Sequence, residues 1–205
     1  MNELMQSLET LFENLEENGW AFSDEVLPAN LAEELLEECQ KSWQDGLFQE
    51  AQIGRGTGKN LDAEIRGDSI LWLNSEHNHR ASGRFLEWAA ELRHELNRRY
   101  YLGLNSEEFH FARYPTGKGY HKHIDQHRGT QSRKISLVLY LNPHWNQSDG
   151  GELCIYDAAQ DSLEVQRILP QPARVVLFRS DLVPHAVLPC FQTRWSLTGW
   201  FRTDL

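Results

Sequence analysis

The sequence predicts a mainly β fold behind a helical buttress, an α+β chain, and two observations carry that expectation. Apolar residues recur with the helical period of about 3.6 through the N-terminal half, then switch to the strand period of two from Glu107 onward. The second half also divides into eight strand-length segments separated by turn signals. Eight strands after a helical leader fit a double-sheet jelly-roll or cupin-like barrel, a double-stranded β-helix whose mouth can house a metal.

Taken in order, Leu4, Leu8, Leu11, Phe12 and Leu15 make one stripe of a first helix from Met5 to Leu15, ending before the stop signal Asn18-Gly19. A second helix follows Pro28, with Leu31, Leu35, Leu36, Cys39 and Trp43 on one face and acids on the other. A third runs from about Gly83 to Tyr101, turns Phe85, Leu86, Ala89, Leu92 and Leu96 inward, and stops at Gly103. These helices buttress a sheet. Strands are expected near 107–114, 120–126, 134–141, 151–156, 163–168, 173–179, 185–189 and 194–203. Pro115-Thr116-Gly117, Ser148-Asp149-Gly150-Gly151 and Leu169-Pro170-Gln171-Pro172 supply turns between several of them. Residues 1–104 are therefore read as a helical region with a mobile loop and a leading strand, part of the same fold, and 105–205 as the double-stranded β-helix core.

At 205 residues the chain suits a single domain with one sizeable core. It has no long apolar run and no basic-then-apolar leader, so a cytoplasmic protein without a membrane segment is expected. Three widely spaced cysteines, Cys39, Cys154 and Cys190, fit reduced packing residues. The net charge of −10 is concentrated in residues 1–50, where thirteen acids face Lys41 alone. The remaining seventeen acids and nineteen bases leave no basic stripe, which argues against a nucleic-acid partner. With neither coiled-coil heptads nor an appended domain, a monomer is expected.

The chemistry is carried by His123, Asp125 and His185. Two imidazoles and a carboxylate are the ligand set of the facial triad that holds Fe(II) and leaves positions open for co-substrate and dioxygen. His123 and Asp125 are two apart, so on a strand both side chains leave the same face, and one metal could bind both. H-x-D is common, however, and the pair could equally be an exposed polar couple while His185 caps a turn after Pro184. Arg194 opens a strand in which Arg194, Ser196, Thr198 and Trp200 share one parity, and that set would face a cavity.

An ordered set of motifs narrows this. Tyr114-Pro115, Gly117, Gly119-Tyr120, His123 and Asp125 precede Leu139-Tyr140-Leu141-Asn142, then Gly150-Gly151-Glu152-Leu153, Pro184-His185 with Val187, and Arg194 to Phe201. Together they resemble the prolyl 4-hydroxylases of the 2-oxoglutarate and iron dependent oxygenase superfamily. Upstream, Glu64-Ile65-Arg66-Gly67-Asp68 with Ile70 and Trp72 resembles the segment after the mobile loop in the prolyl hydroxylases that act on hypoxia-inducible factor, and in their bacterial relatives.

The resemblance implies that His123, Asp125 and His185 bind Fe(II), that Arg194 clamps the distal carboxylate of 2-oxoglutarate, and that Tyr140 is a second donor to it. It places Tyr114 near the metal end of the co-substrate and makes Thr198, Trp200, Val138 and Leu153 pocket walls. It further implies dioxygen as oxidant, ascorbate as reductant, oxidative decarboxylation to succinate, and hydroxylation of a prolyl residue in a protein substrate, a translation factor such as elongation factor Tu among the bacterial relatives. Gln49 to Ala63, with Gly54, Gly56 and Gly58, is expected to be a lid over that substrate.

His121 and His127 match no family ligand and are read as rim residues. His77, His79 and His144 sit in polar loop contexts, while His110 shares parity with Tyr114 and could reach the pocket. Two other readings remain open. One is an oxygenase of the same fold acting on another side chain, a small molecule or alkylated nucleic acid, although Trp200 stands where the nucleic-acid enzymes usually carry a second arginine. The other is a non-catalytic metal-binding module, which would have no use for a carboxylate clamp.

Overall fold

The computed structural model of the chain describes residues 3–51, 65–73, 80–126, 131–160 and 162–205. The expected lid therefore lies outside the described residues beyond Ala51, as do His77, His79 and His127.

Three helices form where the apolar stripes run: α1 (Glu3–Asn18), α2 (Leu31–Gln44) and α3 (Arg80–Tyr100). Helix α1 ends where Gly19 adopts a φ of 77°, which lets its N–H donate to the Leu15 carbonyl at 2.9 Å. On α2, Leu31, Leu35 and Cys39 recur every fourth residue and are fully buried. Asn97 near the end of α3 closes both main-chain groups of Leu104, accepting from its N–H and donating to its carbonyl, each at 2.8 Å. That clamp fixes where the chain leaves the helix to begin the sheet.

All strand pairings are antiparallel. Seven strands form one sheet: β1 (Trp20–Ser23), β2 (Gln49–Glu50), β3 (Ser69–Trp72), β4 (Ser106–Tyr114), β6 (Arg133–Tyr140), β9 (Val175–Arg179) and β11 (Arg194–Arg202), in the order β1-β9-β6-β11-β4-β3-β2. The other sheet has the order β5-β10-β7-β8, from β5 (Tyr120–His123), β7 (Leu153–Tyr156), β8 (Glu164–Ile168) and β10 (His185–Val187). This is the expected double-stranded β-helix, and each of the eight expected strands is present. Strands β1 and β2 were not expected, because four residues after a helix stop and two before the loop are too short to show a period.

Alternation along the large sheet gives its two faces different tasks. Phe109, Phe111, Leu137, Leu139, Leu177, Leu197 and Phe201 pack against Leu11, Leu35, Phe85 and Leu96 of the helices. The opposite parity, including Ile70, Ala112, Tyr114, Val138, Tyr140 and Phe178, meets Leu153, Ile155 and Val187 of the small sheet. The helices thus bury one face, and the other is left to build a site between sheets. All three cysteines are buried and unpaired. Among the described residues no helix is long and apolar enough to cross a membrane.

The central strand β11 tolerates no side chain at Gly199. A Cβ there would lie 2.0 Å from the Glu108 carbonyl oxygen and 2.2 Å from Phe109 Cδ1. Phe109 cannot yield, because its ring is held edge-on by Phe85 at 5.0 Å and Phe201 at 5.6 Å. Gly199→Ala is expected to destabilise the fold by about 3 kcal/mol through overpacking. Urea unfolding checks this; a midpoint equal to that of the parent chain would show that the β4–β11 contact has room to relax.

Candidate active site

Strands β5 and β10 pair so that His185 stands opposite His123. The third residue corrects the strand-face expectation: β5 ends at His123, and Asp125 lies in the bend beyond it rather than on the strand. The Gln126 N–H donates to the Ser180 carbonyl at 2.9 Å, turning the chain inward, so that Asp125 is buried and approaches the two imidazoles from the end of the strand.

The three side chains are aimed by their surroundings. His123 Nδ1 lies 2.7 Å from the His121 carbonyl and His185 Nδ1 3.1 Å from the Val183 carbonyl. A carbonyl can only accept, so on each neutral ring the proton sits on Nδ1 and the lone pair on Nε2. Those Nε2 atoms lie 3.4 Å and 3.8 Å from Asp125 Oδ1. The other carboxylate oxygen accepts from the Ser136 hydroxyl at 2.7 Å, and Ser136 in turn bonds Ser180 at 2.8 Å. One ligand atom from each of His123, Asp125 and His185 therefore falls within a 4.8 Å cluster, with the outer contacts that metal-bound histidine and carboxylate require. The donor set and its geometry fit a divalent iron.

Electrostatics agree with that fit. Burial raises the Asp125 pKa, but His185, His123 and the Ser136 hydrogen bond outweigh burial and hold the carboxyl well below its usual range. Burial, with His123 beside it, pushes His185 down to about 4, which keeps it a neutral ligand.

Arg194 lies at the start of β11, only 2 % exposed. Its Nε donates to the Gly151 carbonyl at 3.0 Å and its Nη1 to Ser196 Oγ at 3.3 Å. Its guanidinium lies 5.1 Å from the Tyr114 ring and 4.9 Å from the Tyr140 ring. Among the described residues no carboxylate pairs with it. A buried cation without an anion is costly, so the arrangement suits an anionic ligand taken in from solution. Gly151, at a φ of 69°, keeps the seat open: a Cβ there would come within 3.1 Å of Arg194 Cδ and 3.2 Å of Trp145.

A cavity of about 350 Å³ joins these parts. Of the eight site residues expected from sequence, His123, Asp125, His185, Arg194, Tyr114, Thr198 and Trp200 line it. Tyr140 does not. It is fully buried behind the cavity beside Arg194, and among the described residues its hydroxyl has no hydrogen-bond partner. Val138 and Leu153 line the wall as expected.

Several further residues reach the cavity. Arg66 and Asp68 form a bidentate pair at 2.7 and 3.0 Å, with Arg66 lying 5.0 Å from the Tyr120 ring. Arg133 lies 3.4 Å over the Trp200 ring and is held by Glu108 Oε1 at 2.8 and 3.0 Å. Glu108 also accepts from Arg202 at 2.6 Å. His110 lies between Trp72 and Trp200, at 4.7 and 5.6 Å, and burial, with Arg66 next, pushes it down to about 3. Among the described residues its Nδ1 and the Trp200 Nε1 have no hydrogen-bond partner, and each such buried group costs about 1–3 kcal/mol. A parity argument finds His110. Ser136 could have been found as the one hydroxyl inside the apolar run Ile135 to Leu139. Arg133 and Glu108 carry no local signal, since charged residues at strand ends are ordinary.

Comparison with known proteins agrees with this geometry. Residues 109–202 match the model of the 2OG-Fe(II) oxygenase superfamily. The fold superimposes on a Pseudomonas putida prolyl-4-hydroxylase with a TM-score of 0.85 and 36 % identity, covering 96 % of this chain and 99 % of the other. It matches equally, at 0.85, a Trichoplax adhaerens prolyl hydroxylase in complex with a hypoxia inducible factor oxygen degradation domain peptide fragment, with 28 % identity over 98 % of this chain and 91 % of that one. The hypoxia-inducible factor prolyl hydroxylase of Caenorhabditis elegans is 26 % identical over 94 % of this chain, which spans 28 % of that longer protein.

Two buried neutral imidazoles give the metal-free protein a pH signature. Below the ordinary imidazole value of 6.5 the unfolded chain takes up protons at His110 and His185, while the folded chain does not until about 3 and 4. Stability is therefore expected to fall as pH drops from 6.5 toward 4, by up to about 1.4 kcal/mol per pH unit for each imidazole. Asp125 acts only below its ordinary value of 3.8, outside this window. Urea midpoints of chelated protein between pH 7 and 4.5 test this, with His110→Phe expected to flatten the slope by one proton; a pH-independent midpoint would refute it.

Proposed function

The chain belongs to the 2OG-Fe(II) oxygenase superfamily, and from that membership we propose that it is a peptidyl-prolyl 4-hydroxylase. The observation that carries the proposal is the combination of a pre-aimed His–Asp–His cluster with a buried, anion-free Arg194 along one cavity. A structural metal site would need the first and have no use for the second.

In this reading His123 Nε2, His185 Nε2 and Asp125 Oδ1 hold Fe(II), and the carbonyls behind each Nδ1 keep the rings from turning. Ser136 occupies the second carboxylate oxygen, so Asp125 offers one ligand atom and leaves more of the coordination sphere open. Arg194 binds the distal carboxylate of 2-oxoglutarate through charge-assisted hydrogen bonds, and the Tyr140 hydroxyl is a second donor to it. Tyr114 lies toward the metal end of the co-substrate. Fe(II) with 2-oxoglutarate and O2 supplies the oxidising chemistry, one oxygen atom leaving in succinate as carbon dioxide is released and the other entering the substrate. Val138, Leu153, Thr198 and Trp200 form walls that exclude water from the reacting carbon, with Trp200 packing over the co-substrate or substrate ring.

The substrate proposed is a prolyl residue in a cytoplasmic protein. The likeness to prolyl hydroxylases, one of them holding a peptide, supports a protein substrate. A translation factor such as elongation factor Tu is the first to test, on the resemblance to bacterial relatives. The enzyme is proposed to act as a monomer, with ascorbate keeping the iron reduced.

Incubating cell extract with enzyme, Fe(II) and 2-oxoglutarate, followed by peptide mass spectrometry, tests the reaction. Expected is a gain of one oxygen atom on a proline, absent with a His123→Ala, Asp125→Ala double variant. Succinate without modified proline would retain the oxygenase and remove the prolyl assignment. Replacing Arg194 by Met should raise the apparent KM for 2-oxoglutarate roughly 10- to 100-fold, the equivalent of about 1.5–3 kcal/mol of charge-assisted bonding. An unchanged KM would take Arg194 out of the clamp.

A further inference from the structure

The turn between β9 and β10 supports two of the three side chains proposed to hold the metal. It closes where the Arg179 carbonyl accepts from the N–H groups of Leu182 and Val183, at 3.3 and 3.1 Å. Its far end offers the Val183 carbonyl to His185 Nδ1. Its near end holds Ser180, whose three polar groups each reach another segment. The N–H donates to the Lys134 carbonyl at 3.0 Å, the carbonyl accepts from the Gln126 N–H at 2.9 Å, and the hydroxyl lies 2.8 Å from the Ser136 hydroxyl. Lys134 and Ser136 are on β6, and Gln126 follows Asp125. Ser180 is thus the point at which β6, the bend carrying Asp125 and the turn leading to His185 are tied together.

Proton counting gives the direction of the serine pair. Each hydroxyl has one proton to give, and a carboxylate that binds a cation can only accept. The Ser136 proton is therefore spent on Asp125 Oδ2, 2.7 Å away, and between the two serines Ser180 is the donor. Both side chains are fully buried, so bulk water competes for neither proton. A donor on the Ser136 oxygen polarises its O–H and fixes its rotor with the proton toward the carboxylate. The result is a one-way relay, Ser180 to Ser136 to Asp125.

We propose that Ser180 is a positioning residue of the metal site: it aims the Ser136 proton at Asp125 Oδ2, which leaves Oδ1 as the ligand atom that carboxylate turns to the metal. This rests on the metal-binding part of the reading above. Ser180 touches neither the metal position nor the Asp125 side chain, and acts through Ser136 alone. Its main-chain bonds to Lys134 and Gln126 set where the bend lies, while its hydroxyl sets which carboxylate oxygen is occupied. The two contributions are separable, because replacing the serine by alanine removes only the second. Since the same turn also orients His185, ligands from two segments are held against one support, as outer contacts that fix ligand geometry require.

The test is a double-mutant cycle read by metal affinity on the full chain, with Mn(II) alone as a redox-stable probe and its Kd taken from loss of the free-ion electron paramagnetic resonance signal. Ser136→Ala should weaken Mn(II) binding roughly 10- to 100-fold, as expected for loss of a direct outer contact to a ligand. Ser180→Ala should weaken it about fivefold, the worth of one net hydrogen bond. The double variant should bind like Ser136→Ala to within about twofold, because without Ser136 nothing remains for Ser180 to aim. Ser180→Thr keeps the hydroxyl and should bind like the parent, a rescue that a purely packing role would not give. Thermal melting of metal-free protein confirms that each variant folds. A parent-like Kd for Ser180→Ala, or the same fivefold loss on adding Ser180→Ala to Ser136→Ala, would overturn this inference alone. Absence of Mn(II) binding by the parent chain would overturn the metal reading and this inference with it.

Discussion

The antiparallel register between β5 and β10 is the constraint on which the site depends. It sets His185 opposite His123, so two imidazoles from residues sixty-two positions apart share one place in space. A slip of one residue would turn either histidine to the other face of the small sheet and leave Asp125 without partners. The register is secured from both sides. Ala186 and Val187 of β10 pair with Cys154 and Leu153 of β7, and Gly119 leads into β5 with no room for a Cβ, which would lie 2.4 Å from the Val187 carbonyl oxygen. The same glycine carbonyl accepts from the Gly67 N–H at 3.0 Å, which draws the Arg66–Asp68 pair to the cavity rim.

The large sheet contributes differently, through one strand that serves both of its faces. Leu197 and Phe201 of β11 pack on the helices, while Arg194, Thr198 and Trp200 face the cavity. Stability and function thus alternate residue by residue along the same strand. The helical side offsets what the cavity side gives up in orphaned hydroxyl, indole and imidazole groups and in an unneutralised guanidinium. Gly199 shows how closely the two are coupled: it lies between Thr198 and Trp200 and admits the Phe109 ring that closes the helical core.

What was legible in the sequence follows from where the information is local. Strand alternation gave the eight strands of the core, and helical stripes gave three helices, because each records which face of an element is buried. The parity of Arg194, Thr198 and Trp200 needed only their own strand. Asp125 joins the two histidines in space but not from the strand position expected of it: the H-x-D spacing is compatible with a strand, but the strand ends at His123, and the bend is set by a bond from Gln126 to Ser180, fifty-four positions away. Ser136 and Glu108 were missed for a related reason. Their importance comes from what lies across from them, Asp125 for one and Arg133 with Arg202 for the other; a lone hydroxyl in an apolar run marks Ser136 as unusual, but no pattern along the chain names the cross-sheet neighbour of either.

Tyr140 shows where the cavity outline and the chemistry part company. Its side chain is shut away from the cavity, yet it is a phenol with an unpartnered hydroxyl, 4.9 Å from a buried guanidinium. A hydrophobic residue of that size could fill the space without desolvating a hydroxyl, so packing alone does not account for a tyrosine there. Burial raises its pKa while Arg194 lowers it, and the net rise keeps the phenol protonated. A protonated phenol can accept from a guanidinium through its oxygen and still has its own O–H to donate to an anion. The phenol O–H is thus the group left to donate in this buried corner, which suits the carboxylate of the proposed co-substrate better than an apolar wall would.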